Sequence, residues 1–312
     1  MSLANVFLIG APKCGTTSLS QWLADHRSVY VSVPKEPYYW AADYPRMRAH
    51  YGFDSQDAYE ALYASPEAQA ATLRVDGSTT YLYSRSAVPA ITAAVSRPRF
   101  VVALRNPVDL LISWHRTQLI ALNETETDFA AAWHRSLDGG LPDTDPLDPK
   151  LLDYPLVGCL GAAVDRLLDT VPRESVHVVL FDDLARDPSG TWTELTAFLS
   201  IDALPEPSFD VHNASNKTYR SAFLRRLTHR PPAVLEAPVR RLRQWSRTTS
   251  NPLAAATKER MWRSTATPRV SAETRDELAA YLARDIDKLA ARLELDLSAW
   301  KPSKGKTSGG TT

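Results

Sequence analysis

The chain has 312 residues, of which 44% are hydrophobic and 23% charged, and its acidic and basic side chains balance to a formal net charge of zero. This composition is typical of a globular protein with enough apolar residues for one large α/β domain or two smaller ones. A neutral total argues against a dedicated nucleic-acid-binding protein. The two cysteines, Cys14 and Cys159, are too few for a disulfide framework and indicate a reducing compartment.

Membrane and export signals are not apparent in the sequence. No segment reaches the run of about 20 apolar residues that a membrane-spanning helix needs. The first residues, MSLANVFLIG, have neither the basic start nor the long apolar stretch of a signal peptide. We therefore expect a cytoplasmic protein without a membrane partner.

The first third of the chain alternates short apolar runs with helical spacing. Val6–Gly10 is predicted to be a strand, and a loop separates it from a helix at about 16–26. A second strand is predicted at 29–33. The predicted elements that follow are a helix near 57–71, a short strand at 72–75 and a helix around 86–95.

The continuous apolar character of Arg99–Leu104 predicts a buried parallel strand. Pro107 is well placed as the first residue of a helix that runs to about Ile120. Further on, the pattern predicts a surface loop at 139–149, a helix at 157–170, a buried strand at 176–181 and a terminal helix at 271–293 with Ser271 as its N-cap.

This alternation predicts a three-layer α/β domain of the P-loop-like type, with a central parallel sheet flanked by helices. We expect a single domain over residues 1–300 and find no internal repeat. The tail 301–312, KPSKGKTSGGTT, has no apolar anchor and is predicted to be disordered.

The segment GAPKCGTT, residues 10–17, joins the first strand to the first helix. A loop in this position presents backbone N–H groups together with the positive end of the helix dipole, and so predicts an anion site. Gly10 and Gly15 allow the backbone to approach a ligand closely. The hydroxyls of Thr16 and Thr17 add donors.

This loop differs from that of a nucleotide triphosphatase, which reads G-x-x-x-x-G-K-[ST]. The glycines have that spacing, but Thr16 follows the second one and the lysine lies upstream, at Lys13. The strand at 99–104 is followed by Arg105, not by the acidic residue that a magnesium-dependent enzyme would use. The pattern therefore predicts an anion site that uses protein cations and no metal. On this loop alone, a simple turn with an exposed lysine is an equally good interpretation.

A second element strengthens the prediction of an anion site. Arg105 lies at the end of a buried strand, and Ser113 lies two turns into the next helix, so that a guanidinium fork and a hydroxyl can converge on one phosphate. Taken singly, Arg105 could be part of an ion pair and Ser113 a helix-surface residue. Those interpretations are poor for both residues together with the first loop.

With these two elements, the sequence resembles the sulfotransferases that use 3′-phosphoadenosine-5′-phosphosulfate (PAPS), especially the branch of bacterial enzymes and heparan-sulfate sulfotransferase domains. APKCGTTSL resembles the family's 5′-phosphosulfate loop, and VVALRNPVDLLISWHR resembles its 3′-phosphate strand and helix. Two stretches are similar to weaker family features, VDGSTTYLYS at 75–84 and HNASNKTYRSAFLRRL at 212–227. The resemblance covers roughly residues 4–230.

The resemblance implies a role for each matching residue. Lys13 would contact the bridging oxygen between the phosphate and the sulfuryl group, and Arg105 and Ser113 would bind the 3′-phosphate. Lys217 and Arg220 would belong to a late loop that closes over the donor. The residues implied to hold the 5′-phosphate are Cys14, Gly15, Thr16, Thr17 and Ser18. The product would be 3′-phosphoadenosine-5′-phosphate (PAP).

Glu36, in the segment PKEPYYW at 34–40, is the best candidate for the general base that removes the acceptor's proton. It follows the second apolar run, near the crevice where a parallel sheet binds its ligand. The heparan-type enzymes carry a similar K-E-P-aromatic segment whose glutamate serves as base. Lys35 would help to position the sulfuryl group. The alternative is a surface Lys–Glu pair.

The acceptor is less well defined. The aromatic residues nearest these motifs can stack on a sugar or an aromatic acceptor, or can belong to the core; they are Tyr38, Tyr39, Trp40, Tyr81 and Tyr83. We expect a saccharide or a glycosylated or aromatic small molecule, with a hydroxyl as acceptor; an amine stays open. The oligomeric state cannot be predicted.

One departure from the family pattern is apparent, and two further features, the basic region and His115, have alternative interpretations. The heparan-type enzymes often carry Lys and Pro where this chain has Gly77 and Thr79, so we do not expect an acceptor contact from a lysine at this position. The basic region 217–247 is either an attractor for an anionic acceptor or a solvated helical surface. His115 lies two residues after Ser113 and so points away from that helix face, as a packed or solvent-facing histidine would.

Two other functions are compatible with part of this pattern. A magnesium-dependent P-loop kinase or NTPase would use the same anion-binding physics, and a non-catalytic nucleotide-binding protein would keep the fold without the reaction. The joint presence of Lys13, Arg105, Ser113 and Glu36 favours the enzyme.

Overall fold

The computed structural model describes residues 3–209, 217–219, 221, 225–226, 229, 262–264 and 269–301. Its central sheet has five parallel strands in the order β2-β3-β1-β4-β5. These strands are β1 (Val6–Gly10), β2 (Val29–Val31), β3 (Leu73–Asp76), β4 (Arg99–Leu104) and β5 (Val176–Leu180). A separate antiparallel pair joins β6 (Lys217–Tyr219) to β7 (Trp262–Ser264).

Helices connect the strands and cover the sheet. The first group is α1 (Thr16–Ala24), α2 (Pro45–Tyr51), α3 (Gln56–Glu60), α4 (Pro66–Ala70), α5 (Ala87–Ala94) and α6 (Pro107–Ile120). The second group is α7 (Phe129–Leu137), α8 (Tyr154–Gly158), α9 (Leu160–Thr170), α10 (Phe181–Arg186), α11 (Pro188–Leu199) and α12 (Ala272–Leu293).

The predicted fold class is confirmed. Every residue of β1 is buried, and β4 is buried from Phe100 to Leu104, as expected for strands covered on both faces. The two strands pair in register from Val6 opposite Arg99 to Gly10 opposite Ala103. Their carboxyl ends therefore lie side by side, and the loops that follow them start at the same edge of the sheet.

Several predicted elements have the bounds expected from sequence. α6 runs from Pro107 to Ile120, with the Asn106 side chain accepting a hydrogen bond from Val108 N. α12 begins after Ser271, whose hydroxyl accepts from Thr274 N at 3.2 Å. In the described part of the chain, no helix combines the length and the apolar character needed to cross a membrane.

Two predicted helices are wrong as continuous elements. The helix expected near 57–71 is interrupted because Ser65 caps a new helix, accepting from Ala68 N, with Pro66 in its first turn. The helix expected at 157–170 is two helices that meet at Cys159, and the first of them starts earlier, at Tyr154.

Some of the chain had no sequence assignment or lies beyond the described residues. No element was predicted for the segments that form α7 and α11. The predicted disorder of the tail concerns residues that, apart from Lys301, lie outside the described ranges, as does most of the basic region 217–247.

At Gly10 the chain leaves β1 in close contact with β4. The φ angle there is 134°, and a Cβ atom would lie 2.3 Å from the carbonyl oxygen of Ala103. The next amide, Ala11 N, donates to that same oxygen at 2.9 Å. A side chain at Gly10 would therefore push apart the two strands that start the loops of the site.

We expect Gly10→Ala to lower the free energy of unfolding by at least about 3 kcal/mol, because it adds a backbone clash to an unfavourable φ angle. Urea denaturation followed by circular dichroism measures this. Gly139→Ala is the matched control, since Gly139 has a φ of 71° but no atom within 4 Å of a Cβ, and it should cost only about 1 kcal/mol. Equal costs would contradict the clash.

Candidate active site

The loop between β1 and α1 has the geometry of an anion site. Lys13 and Gly15 have left-handed φ angles of 67° and 83°, which turn the chain sharply before the helix. Gly15 is the N-cap of α1, and no side chain caps the helix. Because a helix leaves its first N–H groups without intrahelical partners, the amides at the start of α1 can bind an anion.

Cations gather around this loop. A guanidinium nitrogen of Arg105 donates to the carbonyl of Lys13 at 3.3 Å, and the guanidinium lies 4.5 Å from the ring centroid of Phe181. Burial lowers the pKa of Lys13, and the charges of Arg116 and Arg105 lower it further. Within the described residues, neither Lys13 nor Arg105 forms a salt bridge. The local excess of positive charge suits a ligand with several negative charges.

Arg116 is a member of this group that the sequence analysis did not single out. It lies three residues after Ser113 on α6, which places the two on the same face of the helix. The signal was present in the sequence as the spacing S-x-x-R inside the second motif.

Ser113 has an unsatisfied hydroxyl. Its Oγ is buried and has no hydrogen-bond partner among the described residues. A buried polar atom without a partner costs about 1–3 kcal/mol, so such an atom in a native site calls for an explanation. A bound phosphate oxygen would supply the missing partner.

The segment that contains Glu36 is in direct contact with the anion loop. Lys35 Nζ donates to Thr16 Oγ1 at 3.0 Å and to Glu36 Oε1 at 2.9 Å. The hydroxyl of Tyr38 donates to the other carboxylate oxygen, Glu36 Oε2. The Lys–Glu pair considered from the sequence is therefore present, but its side chains are only 20% and 28% exposed. It links the loop to the candidate base and is more than a surface pair.

Gly77 explains how Lys35 reaches the loop. A Cβ atom at Gly77 would lie 2.8 Å from both Cγ and Cε of Lys35, and Gly77 N donates to the Lys35 carbonyl at 2.9 Å. The departure from the heparan-type pattern at this position therefore makes room for the stem of Lys35.

Asp76, at the end of β3, forms a buried polar cluster that the sequence analysis missed. Its carboxylate is 0% exposed and accepts hydrogen bonds from Ser78 N at 3.0 Å and Ser78 Oγ at 2.7 Å. The hydroxyls of Tyr59 and Tyr81 each donate to it at 2.9 Å. Burial raises the pKa of Asp76 to about 6, against the opposing effect of these hydrogen bonds. An aspartate that ends an apolar strand, followed by Gly-Ser, was the available signal.

The aromatic residues near the motifs divide between core and site. Tyr81 is fully buried in the Asp76 cluster, and Trp40 is 9% exposed and packed in the core. Tyr83 lines a recess of about 20 Å³ beside Pro12 and Trp114. A recess of this size holds about one water molecule and cannot by itself hold a sugar or phenol ring.

The remaining candidates have simple environments. His115 is buried, its Nε2 lies 2.8 Å from the carbonyl oxygen of Glu126, and burial lowers its pKa, so it is a packed histidine. Burial also raises the pKa of the Cys14 thiol. Lys217 lies in β6, where only the backbone is described, and Arg220 lies outside the described residues.

The parallel sheet, with a glycine-containing loop after its central strand, defines a P-loop-like α/β protein. Its family follows from comparison with known proteins. The model of the sulfotransferase family matches residues 5–206, and the chain belongs to that family.

The similar proteins include two curated relatives and a solved structure. The chain is 25% identical over 221 residues to bifunctional heparan sulfate N-deacetylase/N-sulfotransferase 1 of Caenorhabditis briggsae, covering 68% of this chain and 24% of that protein. It is 26% identical over 195 residues to human carbohydrate sulfotransferase 15, covering 51% of this chain and 33% of that protein. The chain thus spans between a quarter and a third of the length of these relatives.

The structure of a sulfotransferase from Alicyclobacillus acidocaldarius superposes with a TM-score of 0.68 at 23% identity, over 96% of this chain and 99% of that one. At this identity the likeness concerns the fold. This likeness extends over almost the whole length of both chains, whereas the matches to the two curated relatives cover only part of each chain.

The raised pKa of Asp76 predicts a pH-dependent stability. Between about pH 4 and 6 the folded protein keeps a proton on this group that the unfolded chain has lost, so stability falls as pH rises through this window. Relative to Asp76→Asn, the free energy of unfolding of the wild type should fall by up to about 3 kcal/mol from pH 4 to pH 7.5. Urea denaturation at both pH values measures it. A difference that does not change with pH would contradict the assigned pKa.

Proposed function

We propose that this protein transfers the sulfuryl group of PAPS to an acceptor, with Glu36 as general base. The observation that carries the proposal is the pair of hydrogen bonds made by Lys35, to Thr16 of the anion loop and to Glu36. They bring an anion site and a carboxylate together, as transfer from an anionic donor to a hydroxyl requires. Membership of the sulfotransferase family supports the reaction class.

The residues present fit a donor with phosphates at two positions. The amides of Gly15, Thr16, Thr17 and Ser18, at the start of α1, would hold the 5′-phosphate, with Cys14 contributing only backbone. Arg105 and the Ser113 hydroxyl, which has no hydrogen-bond partner among the described residues, would hold the 3′-phosphate, the group that distinguishes PAPS from other adenine nucleotides. Lys217 and Arg220 stay proposed contacts from the late loop.

Charge stabilisation and positioning carry the reaction in this proposal. The acceptor oxygen forms a bond to sulfur while the bond from sulfur to the bridging phosphate oxygen breaks, and PAP leaves with that electron pair. Lys13 offsets the negative charge that develops on the leaving oxygen. The acceptor proton passes to the Glu36 carboxylate, whose neighbour Lys35 faces the sulfuryl group. No step uses a metal ion.

For the acceptor, we propose a saccharide or a glycosylated or aromatic small molecule that offers a hydroxyl group. The names of the two curated relatives refer to heparan sulfate and to carbohydrate, which supports a sugar. The rings of Tyr38 and Tyr39 are partly buried and already contact other aromatic rings, Tyr38 against Tyr51 at 4.7 Å and Tyr39 stacked on Tyr59 at 4.4 Å, so an acceptor ring would meet only their remaining exposed edges.

A single domain over residues 1–300 is also proposed. The C-terminal helix α12 packs against α9, and the Asp285 carboxylate accepts from Gly161 N at 2.6 Å and Ala162 N at 2.9 Å. These contacts place residues far apart in the chain in the same core.

PAP binding without magnesium tests the donor site. Isothermal titration calorimetry should show PAP binding that exceeds ADP binding at least tenfold, because only PAP has the 3′-phosphate. Arg105→Ala and Ser113→Ala should each weaken PAP binding by about tenfold or more, since each removes a bond to a charged group worth about 1.5–3 kcal/mol. Neither variant should affect ADP as strongly.

The alternative functions predict different titrations. Equal affinity for PAP and ADP that appears only with magnesium would overturn the sulfotransferase proposal in favour of a kinase or NTPase. His115→Ala is a control on the same helix as Ser113, and it should leave the preference for PAP over ADP unchanged.

Glu36→Gln tests the general base. Transfer of ³⁵S from labelled PAPS to a panel of unsulfated heparan-type oligosaccharides and simple phenols should fall by about 10²–10⁴-fold with the best acceptor, because the amide cannot take up the proton. PAP affinity should stay within about twofold of the wild type. An active Glu36→Gln variant would exclude this residue as base, and PAP binding without transfer to any acceptor would favour a non-catalytic protein.

A further inference from the structure

The Asp76 cluster, which comprises Asp76, Ser78, Tyr59 and Tyr81, also binds the backbone next to Glu36. Ser78 Oγ accepts a hydrogen bond from Tyr38 N at 3.0 Å. The hydroxyl of Tyr81 accepts from Trp40 N at 3.3 Å. The segment that follows the candidate base is therefore held by hydroxyls that themselves bind Asp76.

The direction of these hydrogen bonds depends on the carboxylate. A hydroxyl has one proton to donate, and an ionised carboxylate only accepts. Ser78, Tyr59 and Tyr81 all donate to Asp76, so their remaining lone pairs are left to accept. Each of the three hydroxyls accepts from an N–H group. Ser78 accepts from Tyr38 N, Tyr81 from Trp40 N, and Tyr59 from Trp40 Nε1 at 3.0 Å. The Asp76 carboxylate thus fixes the direction in which these hydroxyls donate and leaves them to accept from the N–H groups of the segment that follows Glu36.

Tyr38 transmits this restraint to the candidate base. Its backbone N–H is bound by Ser78, and its hydroxyl donates to Glu36 Oε2. Its φ angle of 60° is unusual for a residue with a bulky side chain and persists only where the surroundings hold it. Loss of the Ser78 bond would therefore remove one restraint on the backbone of Tyr38 and, through the Tyr38 hydroxyl, one of the two restraints on the Glu36 carboxylate, the other being Lys35.

We propose that Asp76 is a positioning residue for the transfer site: it orients the hydroxyls of Ser78 and Tyr81, which fix the backbone at Tyr38 and Trp40 and so the carboxylate of Glu36. The inference rests on the proposed function for its catalytic consequence. Its structural part, the restraint of the segment by Asp76, stands independently. Asp76 itself does not touch the reacting atoms in this proposal.

Three variants separate positioning from a general loss of stability. Asp76→Asn keeps the size and shape of the side chain but replaces one carboxylate oxygen, which accepts from the hydroxyls, with an NH₂ group that can only donate. Ser78→Ala and Tyr81→Phe keep Asp76 and each remove one bond to the segment. The matched control is Tyr154→Phe, because the Tyr154 hydroxyl is also buried and donates to a buried carboxylate, that of Glu124, at 3.1 Å.

The first readout is hydrogen exchange of the full-length protein at the amides of Tyr38 and Trp40. We expect exchange at Tyr38 to be at least tenfold faster in Asp76→Asn and Ser78→Ala, and exchange at Trp40 to be at least tenfold faster in Asp76→Asn and Tyr81→Phe. The amides of β1 and β4 should keep their wild-type rates. Tyr154→Phe should leave both positions unchanged.

The second readout is transfer of ³⁵S from labelled PAPS to the best acceptor, together with PAP affinity. We expect kcat to fall at least tenfold in Asp76→Asn and Ser78→Ala, with the KM for PAPS and the PAP affinity within twofold of the wild type. Ser78→Thr, which retains the hydroxyl, should recover most of the rate. A purely structural role would lower the amount of folded protein and not kcat.

The outcomes distinguish this inference from the proposed function. Unchanged exchange at Tyr38 and Trp40 in the folded variants, or equal acceleration in Tyr154→Phe, would overturn the positioning role. Faster exchange with unchanged kcat would overturn its catalytic part. A wild-type protein that binds no PAP would refute the proposed function, and the exchange rates would still decide whether Asp76 holds the segment.

Discussion

The site depends on the in-register pairing of β1 with β4. Both strands are parallel and end at the same edge, so the loop after β1 and the arginine after β4 begin next to each other. The contact at Gly10 brings the two backbones too close for any side chain. Because the two strands are this close, a guanidinium nitrogen of Arg105 donates to the carbonyl of Lys13, and the charge of Arg105 contributes to lowering the pKa of Lys13. The arrangement of the candidate anion-binding residues is thus a consequence of strand pairing.

The other half of the site comes from β2 and β3, on the opposite side of β1. The segment after β2 carries Lys35 and Glu36, and the segment after β3 carries Gly77 and Ser78, which pack beneath it. Lys35 closes the gap between the halves through Thr16. The buried carboxylate of Asp76 supports this second half through hydrogen bonds, and no cation of the described residues forms a salt bridge with it.

The sequence was most informative where a local pattern decides the structure. The apolar run at Arg99–Leu104, the proline at the start of α6 and the serine before α12 each fixed an element at its correct bounds. The glycine spacing and Arg105 likewise predicted which segments meet. Three members of the Asp76 cluster lie within residues 76–81, where the aspartate at the end of an apolar strand was a visible signal. Tyr59 comes from a separate helix, and its contact with Asp76 arises only in the folded chain. The break at Ser65 was missed since the apolar spacing continues across it, although the cap and proline were visible.

The packing of Lys35 against Gly77 has a consequence for how this sequence can diverge. The stem of the lysine fills the volume that a side chain at position 77 would occupy. Substitutions at positions 35 and 77 are therefore expected to be coupled during evolution. A residue larger than glycine at 77 is tolerated only where the side chain at position 35 is smaller or adopts another rotamer.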